Sequence, residues 1–420
     1  MKLDSNSLPE DGRVARRWSS GVTLQRRKAR RKLWLQVHLY LGLSLGLILA
    51  VVGLTGAILV FYQELQELTL PELAVVSMPQ EAQRKPVGLD DMLAAANRYK
   101  PPGSEIFKVY YPRKDDLAYK ILYFVRDPRR ADNGDGYYVF VDPYTAEIKG
   151  VQLWHPKGRF WERPLVSFIM NLHWCLLLGE TGEVIVGILA VLSIFSVLTG
   201  LIVWWPLTGK FKQALTIKRN AGTVRFNFDL HKTVGFYSMV VLLPVLFSGV
   251  YFNLPDQVNT LVRQFSALER RNAWNGISSD LHSFKADGRQ ALTIGQIENI
   301  VRQHYSDGKL WMIKPPAKPD DVYIAWQRGI DALSPFVGYR DIAIDAYDGN
   351  ILRVHESGTG SAGDILLDWQ WPIHSGHAFR WPGRILVLLA GLACPLLFVT
   401  GVIRWIQKRR AKQLAKAKTG

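Results

Sequence analysis

The chain has 420 residues, a net charge of +16 and a hydrophobic fraction of 48%. The apolar residues are gathered into long runs, which excludes an ordinary water-soluble protein, and two cysteines are too few for a disulfide framework. The positive charge is gathered into short stretches between those runs, the pattern of a topology signal and not of a nucleic-acid surface.

Residues 1–32 hold ten Lys or Arg, including "RRKARRK" at 26–32. The first apolar run, Leu33–Tyr62, follows. It is far longer than the ~7–15-residue core of a signal peptide, and no A-x-A-like cleavage site follows it. It is read as an uncleaved anchor and first membrane helix, 33–62. A near-neutral outer segment, 63–163, comes next. The second crossing is read over 164–206, with its continuous apolar core at Val184–Trp205. A basic loop, 207–228, leads to a third helix, 229–254, with its core at Thr233–Leu254. A second near-neutral outer segment, 255–370, precedes the fourth helix, 371–407, with its core at Ile385–Ile406. A basic tail, 408–420, ends the chain. Each core can span ~30 Å of hydrocarbon, which takes about 20 helical residues.

The stretches 1–32, 206–230 and 404–420 hold 22 cations against four acids. The positive-inside rule places both termini and the middle loop in the cytoplasm and the two long segments outside. Basic cytoplasmic faces also suit an acidic electron donor or anionic lipid, although topology alone accounts for them. Cys175 and Cys394 lie in or beside membrane runs without metal-ligand spacing and read as small apolar fillers.

The chain reads as a duplication. His38 precedes Gly42 by 4 and Thr55-Gly56 by 17, and His231 precedes Gly235 and Ser248-Gly249 by the same offsets. His173 precedes Thr199-Gly200 by 26 and Trp204 by 31, and His374 precedes Thr400-Gly401 and Trp405 by the same offsets. The outer segments echo each other in "FVDPYTAEIKG" (140–150) and "IAIDAYDGNILR" (342–353), each a strand, a tight turn around Asp142 or Asp345, and a strand. The expected fold is an α-helical membrane protein: a four-helix bundle with an internal twofold repeat, carrying two small α+β modules outside.

A pseudo-twofold would set His38 against His231 near the cytoplasmic ends and His173 against His374 near the outer ends. Opposed neutral imidazoles at one level of a bundle suit the two axial positions of an iron porphyrin, and two levels suit two stacked haems used for one-electron transfer. Gly42, Gly46, Gly53, Gly56, Gly235 and Gly249 leave room for the ring or for close helix approach. A single helix-end histidine is more often interfacial than a ligand; the two symmetric pairs together carry the haem reading. A proton relay would recruit acids, which the four apolar cores lack. A zinc site built on His374 and His377 lacks a completing donor set.

His173 and His374 precede their apolar cores by eleven residues, roughly 16 Å of straight helix. The outer site is therefore expected at or above the membrane interface, or else these helices are kinked. His377 rivals His374 as ligand. Arg380 and Arg384 are candidates for haem propionates, with snorkelling to the interface the alternative. Trp154, Trp161, Trp369, Trp371 and Trp381 sit at the outer edge, as an aromatic belt or as a surface for a substrate. His155, His282, His304 and His355 read as surface histidines. No G-x-G-x-x-G fingerprint is present, so the electron donor is expected to be a separate protein.

The stretches "HLYLG" (38–42), "LHWCLLLGETGEVIVG" (172–187), "TGLIVWWP" (199–206), "DLHKTVG" (229–235) and "IHSGHAFRWPGR…TGVIRW" (373–405) resemble the PepSY-associated transmembrane family over nearly the whole chain. The segments around Asp142 and Asp345 resemble its two periplasmic PepSY modules. The family includes inner-membrane ferric-siderophore reductases of the FoxB type, which are b-type haem proteins. The resemblance implies a bacterial inner-membrane protein with two haem b groups held by His38, His231, His173 and His374. It further implies an unidentified cytoplasmic donor and a ferric siderophore reduced on the periplasmic face. His377 stands where the family more often has an acid. Two other readings remain: a haem protein whose acceptor is a protein or quinone, and a non-enzymatic membrane sensor or peptidase regulator.

Overall fold

A computed structural model describes residues 10–80, 85–127, 130–156, 160–206, 209–218, 220–268, 271–272, 276–277, 281–284, 289–330 and 338–417. The basic side chains before Ala29, together with Arg219 and Lys418, lie outside the described residues. Among the described residues, four helices are long and apolar enough to cross a membrane: Ala29–Leu59, Gly179–Trp204, Thr223–Asn253 and His377–Ala417. The chain divides into two compact units, one of residues 1–54, 189–243 and 390–420, the other of residues 55–188 and 244–389.

In chain order the first half comprises α1 (Glu10–Leu59), α2 (Tyr62–Thr69), α3 (Pro71–Ala74), α4 (Leu89–Asn97) and strands β1 (Glu105–Tyr110), β2 (Tyr119–Asp127), β3 (Arg130–Val141) and β4 (Ile148–His155). The helices α5 (Leu165–Cys175), α6 (Gly179–Trp204) and α7 (Phe211–Ala214) follow. The second half comprises α8 (Thr223–Asn253), α9 (Pro255–Val262), the short strands β5 (Arg271–Asn272) and β6 (Gly276–Ile277), and α10 (Ile294–His304). It continues with β7 (Lys309–Lys314), β8 (Tyr323–Arg328), β9 (Tyr339–Ile344), β10 (Ile351–Glu356), α11 (Ala362–Asp368), α12 (Gln370–Ser375) and α13 (Arg380–Ala417).

The first unit is helical and packs through small residues. Leu49, Val241, Leu242, Ala390 and Cys394 form its buried cluster. Gly46 and Gly53 of α1 receive the Phe398 ring and the Cys394 side chain of α13 against their Cα atoms. Such approaches are how helices associate where lipid removes the hydrophobic drive. Asp229 is fully buried near the start of α8, and Arg225 and Lys232 neutralise it at 2.9 and 3.0 Å. The basic loop expected at 207–228 is shorter than that, because α8 begins at Thr223 and α7 occupies Phe211–Ala214.

The second unit holds one antiparallel sheet of eight strands in the order β10-β9-β8-β7-β1-β2-β3-β4. This corrects the expectation of two separate modules. Each supplies four strands, and the two meet where β1 pairs with β7 through Val109↔Ile313 and Tyr110↔Met312. The apolar alternation of both halves runs on across that junction. Val109, Ile121, Val139, Ile313, Ala325, Ile342 and Ile344 make one continuous core under α4 and α10. An edge strand with unpaired backbone groups is a liability, and pairing the halves removes two of them. The hairpin turns are built alike: Asp142 Oδ1 accepts the Tyr144 and Thr145 amides, and Asp345 Oδ1 accepts the Tyr347 and Asp348 amides.

The expected helices 164–206 and 371–407 are each broken. After Cys175 the chain takes left-handed conformations at Leu176 and Leu177 before α6 begins at Gly179. After Ser375, Gly376 at φ 78° ends α12, and a 3-10 turn at His377–Phe379 precedes α13. His173 and His374 therefore lie on short helices set at an angle permitted by these turns. The straight helix of roughly 16 Å expected between each histidine and its apolar core is interrupted at Leu176–Leu177 and at Gly376.

Candidate functional site

The first unit brings His38 of α1 and His231 of α8 together, ring centroids 6.3 Å apart and ring planes crossed at 71°. The second unit brings His173 of α5 and His374 of α12 together at 6.0 Å. His377, the rival ligand, is exposed in the 3-10 turn, with Nδ1 3.0 Å from Ser375 Oγ.

Each of the four rings is held from behind at Nδ1. His38 Nδ1 lies 3.0 Å from the Ser196 carbonyl and 3.3 Å from Thr199 Oγ1. His231 Nδ1 lies 2.9 Å from Thr400 Oγ1. His173 Nδ1 lies 3.3 Å from Thr55 Oγ1. His374 Nδ1 lies 2.8 Å from Ser248 Oγ and 3.2 Å from the Val245 carbonyl. A carbonyl only accepts, so at His38 and His374 the Nδ1 carries the proton and Nε2 keeps its lone pair. That is the tautomer a metal-ligating imidazole needs.

The glycine after each hydroxyl residue meets the same ring. A Cβ on Gly56 would stand 2.7 Å from His173 Cε1, and one on Gly200 would stand 3.0 Å from His38 Cε1. At Gly401 and Gly249 the corresponding distances to His231 and His374 are 3.4 and 3.7 Å. The Thr/Ser-Gly pairs thus have a local purpose: the hydroxyl orients the imidazole and the glycine admits it. The contacts are reciprocal. α1 holds His38 and receives His173, while the chain that carries His173 runs on to Thr199 and receives His38.

The residues fit a bis-imidazole haem. Two metal–imidazole bonds of about 2 Å each, plus the distance from ring nitrogen to ring centre on both sides, span about 6 Å. Open space lies one turn from His38, where a Cβ on Gly42 would meet nothing within 4 Å. Among the described residues no group of three or more His, Cys, Asp or Glu could hold a metal ion. A tetrahedral zinc site therefore has no donor set there.

Several expected site residues have other occupations. The Arg384 guanidinium is buried and bonded to Glu64 at 2.8 Å and to the Val60 carbonyl at 2.9 Å, with the rings of Phe61 and Trp381 both 4.7 Å away. It staples α13 to α2 and is not free to take a propionate. Arg380 is exposed at φ 53° at the start of α13. Of the tryptophans, Trp161, Trp371 and Trp381 are exposed. Trp154 packs against Tyr62 and Tyr138, and Trp369 is half-buried between α11 and α12.

His355 is not a surface residue. It is 3% exposed, and its Nε2 lies 3.3 Å from Asp368 Oδ1. Asp368 also accepts from the Tyr339 hydroxyl and the Gly358 amide, both at 2.8 Å. This network ties the end of α11 to the sheet just before α12 delivers His374. Sequence reasoning missed it because neither residue sits in a recognisable motif; the only signal was an acid at the end of an apolar stretch, Asp368 in "DILLD".

A family model described as the PepSY-associated TM region matches residues 35–408. No curated protein matches the chain at a significant level.

Proposed function

The chain belongs to the PepSY-associated TM family, and on that premise we propose that it is an inner-membrane dihaem b-type cytochrome that carries electrons outward to reduce a ferric siderophore. The observation that carries this reading is the twice-built histidine pair, with centroids 6.3 and 6.0 Å apart and every Nδ1 held by a Thr or Ser of another helix. Haem b, bound once per pair, supplies one-electron transfer. His38 and His231 would hold one group and His173 and His374 the other. Thr199, Thr400, Thr55 and Ser248 orient the imidazoles that would hold them. The reciprocal contacts and the duplicated Asp turns support an internal repeat.

The basic ends lie in the cytoplasm and the two long strand-bearing segments in the periplasm, by the positive-inside rule. A separate cytoplasmic reductant supplies each electron. A ferric chelate on the outer side takes it and becomes ferrous, which hard oxygen ligands hold less well. Trp161, Trp371 and Trp381 keep exposed ring surface as candidates for contact with that chelate.

A pyridine haemochrome assay on detergent-purified protein tests the reading. Two b-type haems per chain with low-spin reduced bands are expected, and His38→Ala and His374→Ala should each remove one. Protein without haem after expression with ample haem supply would overturn it and favour the sensor reading. Haem without reduction of any ferric chelate would move the acceptor to a protein or quinone.

A further inference from the structure

The junction of the two half-sheets places two lysines opposite each other. Next to the pair Val109↔Ile313, Lys108 precedes Val109 on β1 and Lys314 follows Ile313 on the antiparallel β7, and the Lys314 charge acts on Lys108. Like charges directly opposite on neighbouring strands destabilise a sheet. Lys108 is also 9% exposed, and among the described residues the contacts of the two ammonium groups are with aromatic rings and not with an acid. The nearest relief for Lys314 is the charge of Asp321, whose Oδ2 is spent on the Ala317 and Lys318 amides.

The surroundings are aromatic. Lys108 Nζ lies 5.4 Å from the Phe107 ring and 5.5 Å from the Trp326 ring, and Lys314 Nζ lies 5.9 Å from the same Phe107 ring. Phe107 is the extra residue of a β-bulge, where the register shifts between Ile106 and Lys108. Bulges re-aim side chains and recur beside binding sites. Here the bulge turns Phe107 outward, 38% exposed, between the two ammonium groups. Burial and the neighbouring Lys314 charge push the Lys108 ammonium down to about 8.

We propose that Lys108 and Lys314, floored by Phe107 and Trp326, form a subsite for the carboxylate group of an anionic ferric chelate. The inference rests on the reductase reading and names the substrate class: chelates that present a carboxylate, in preference to neutral hydroxamate chelates. An oxyanion between the two lysines removes their mutual repulsion and gains two charge-assisted hydrogen bonds. The aromatic floor favours the flat apolar part of such a ligand. The site uses one lysine from each half-sheet, so it exists only because β1 and β7 pair.

Binding to the full-length protein in detergent tests this, read by quenching of tryptophan fluorescence and by calorimetry. The probes are ferric citrate, which is anionic, and ferric acetohydroxamate, which is neutral. Wild-type protein is expected to bind ferric citrate saturably and more tightly than the neutral chelate. Lys108→Met and, independently, Lys314→Met should each weaken ferric citrate by about tenfold or more, with the neutral chelate unchanged within twofold. Removing an unpaired buried charge should not unfold the sheet; Lys314→Met, at the less buried position, gives the same reading if Lys108→Met misfolds. Unchanged ferric citrate affinity in both variants, or no saturable binding by wild type, overturns the proposal. Haem content is read on the same samples. Loss of citrate binding with two haems retained locates the failure at this subsite, whereas absent haem with intact citrate binding locates it in the electron-transfer reading.

Discussion

At the scale of single residues, the site depends on what stands behind each histidine. Ser248 Oγ sits 2.8 Å from His374 Nδ1. Partners of this kind are worth about 10–100-fold in metal affinity. Ser248→Ala is expected to lower haem affinity at the His173–His374 pair by that order and leave the His38–His231 pair unchanged, as a haem titration with the spectra of the two groups separated would show. Gly56→Leu should do more, because even a Cβ there stands 2.7 Å from the His173 ring. The histidines and their Thr/Ser-Gly companions were legible as equal offsets in the two halves. Which helix each companion serves was not. Sequence spacing along one helix cannot tell that Thr55 answers His173 and Thr199 answers His38.

At the scale of elements, the turns before α6 and α13 decide where the outer histidines sit. Gly376 has φ 78°, and a Cβ there would stand 2.8 Å from the Arg384 backbone. Left-handed backbone costs a non-glycine residue about 1–2 kcal/mol, before any clash. Gly376→Ala should therefore lower the melting temperature in detergent and disturb the His374 ligand. Asp368, which accepts three hydrogen bonds while almost fully buried, holds the preceding element. Asp368→Ala leaves its donors unsatisfied and should cost about 1–3 kcal/mol, whereas an exposed-site control such as Glu147→Ala should be neutral.

The Glu64–Arg384 staple adds a pH dependence. Burial raises the Glu64 carboxyl, but the hydrogen bond and charge of Arg384 outweigh it and hold the carboxyl below the ordinary 4.5. A depressed acid binds fewer protons folded than unfolded, so its contribution is full above 4.5 and is lost as pH falls below that value. Arg384→Met should therefore flatten the acid limb of a stability-versus-pH curve. If the limb keeps its slope in that variant, the staple is not its source. The eleven-residue spacing left a kink in the helices of the outer histidines as one of two outcomes, but did not say where the chain breaks. Leu176 and Leu177 have high helix propensity, and only the fold forces them out of it.

At the scale of the molecule, the described residues of the two units include four helices long and apolar enough to span a membrane and one eight-stranded sheet. Both native cysteines are buried, so single introduced cysteines report topology with little background. Glu147→Cys in the sheet unit should react with a membrane-impermeant maleimide in spheroplasts, and Lys412→Cys in the basic tail should react only after permeabilisation. The reverse pattern would invert the direction proposed for electron flow.

The sequence by itself determined the membrane-crossing runs, because burial of about 20 apolar residues is a local property, and the cation-rich ends, because charge is additive along the chain. It also determined the equal histidine spacings in the two halves. Only the tertiary structure decided the rest. It joined two modules into one sheet through a short pairing of β1 with β7. It gave Arg384 to Glu64 and His355 to Asp368, and it chose His374 over His377 as the partner of His173. These are contacts between residues far apart in the chain, and a ring, a guanidinium or a strand edge takes whichever partner the packed backbone brings within reach.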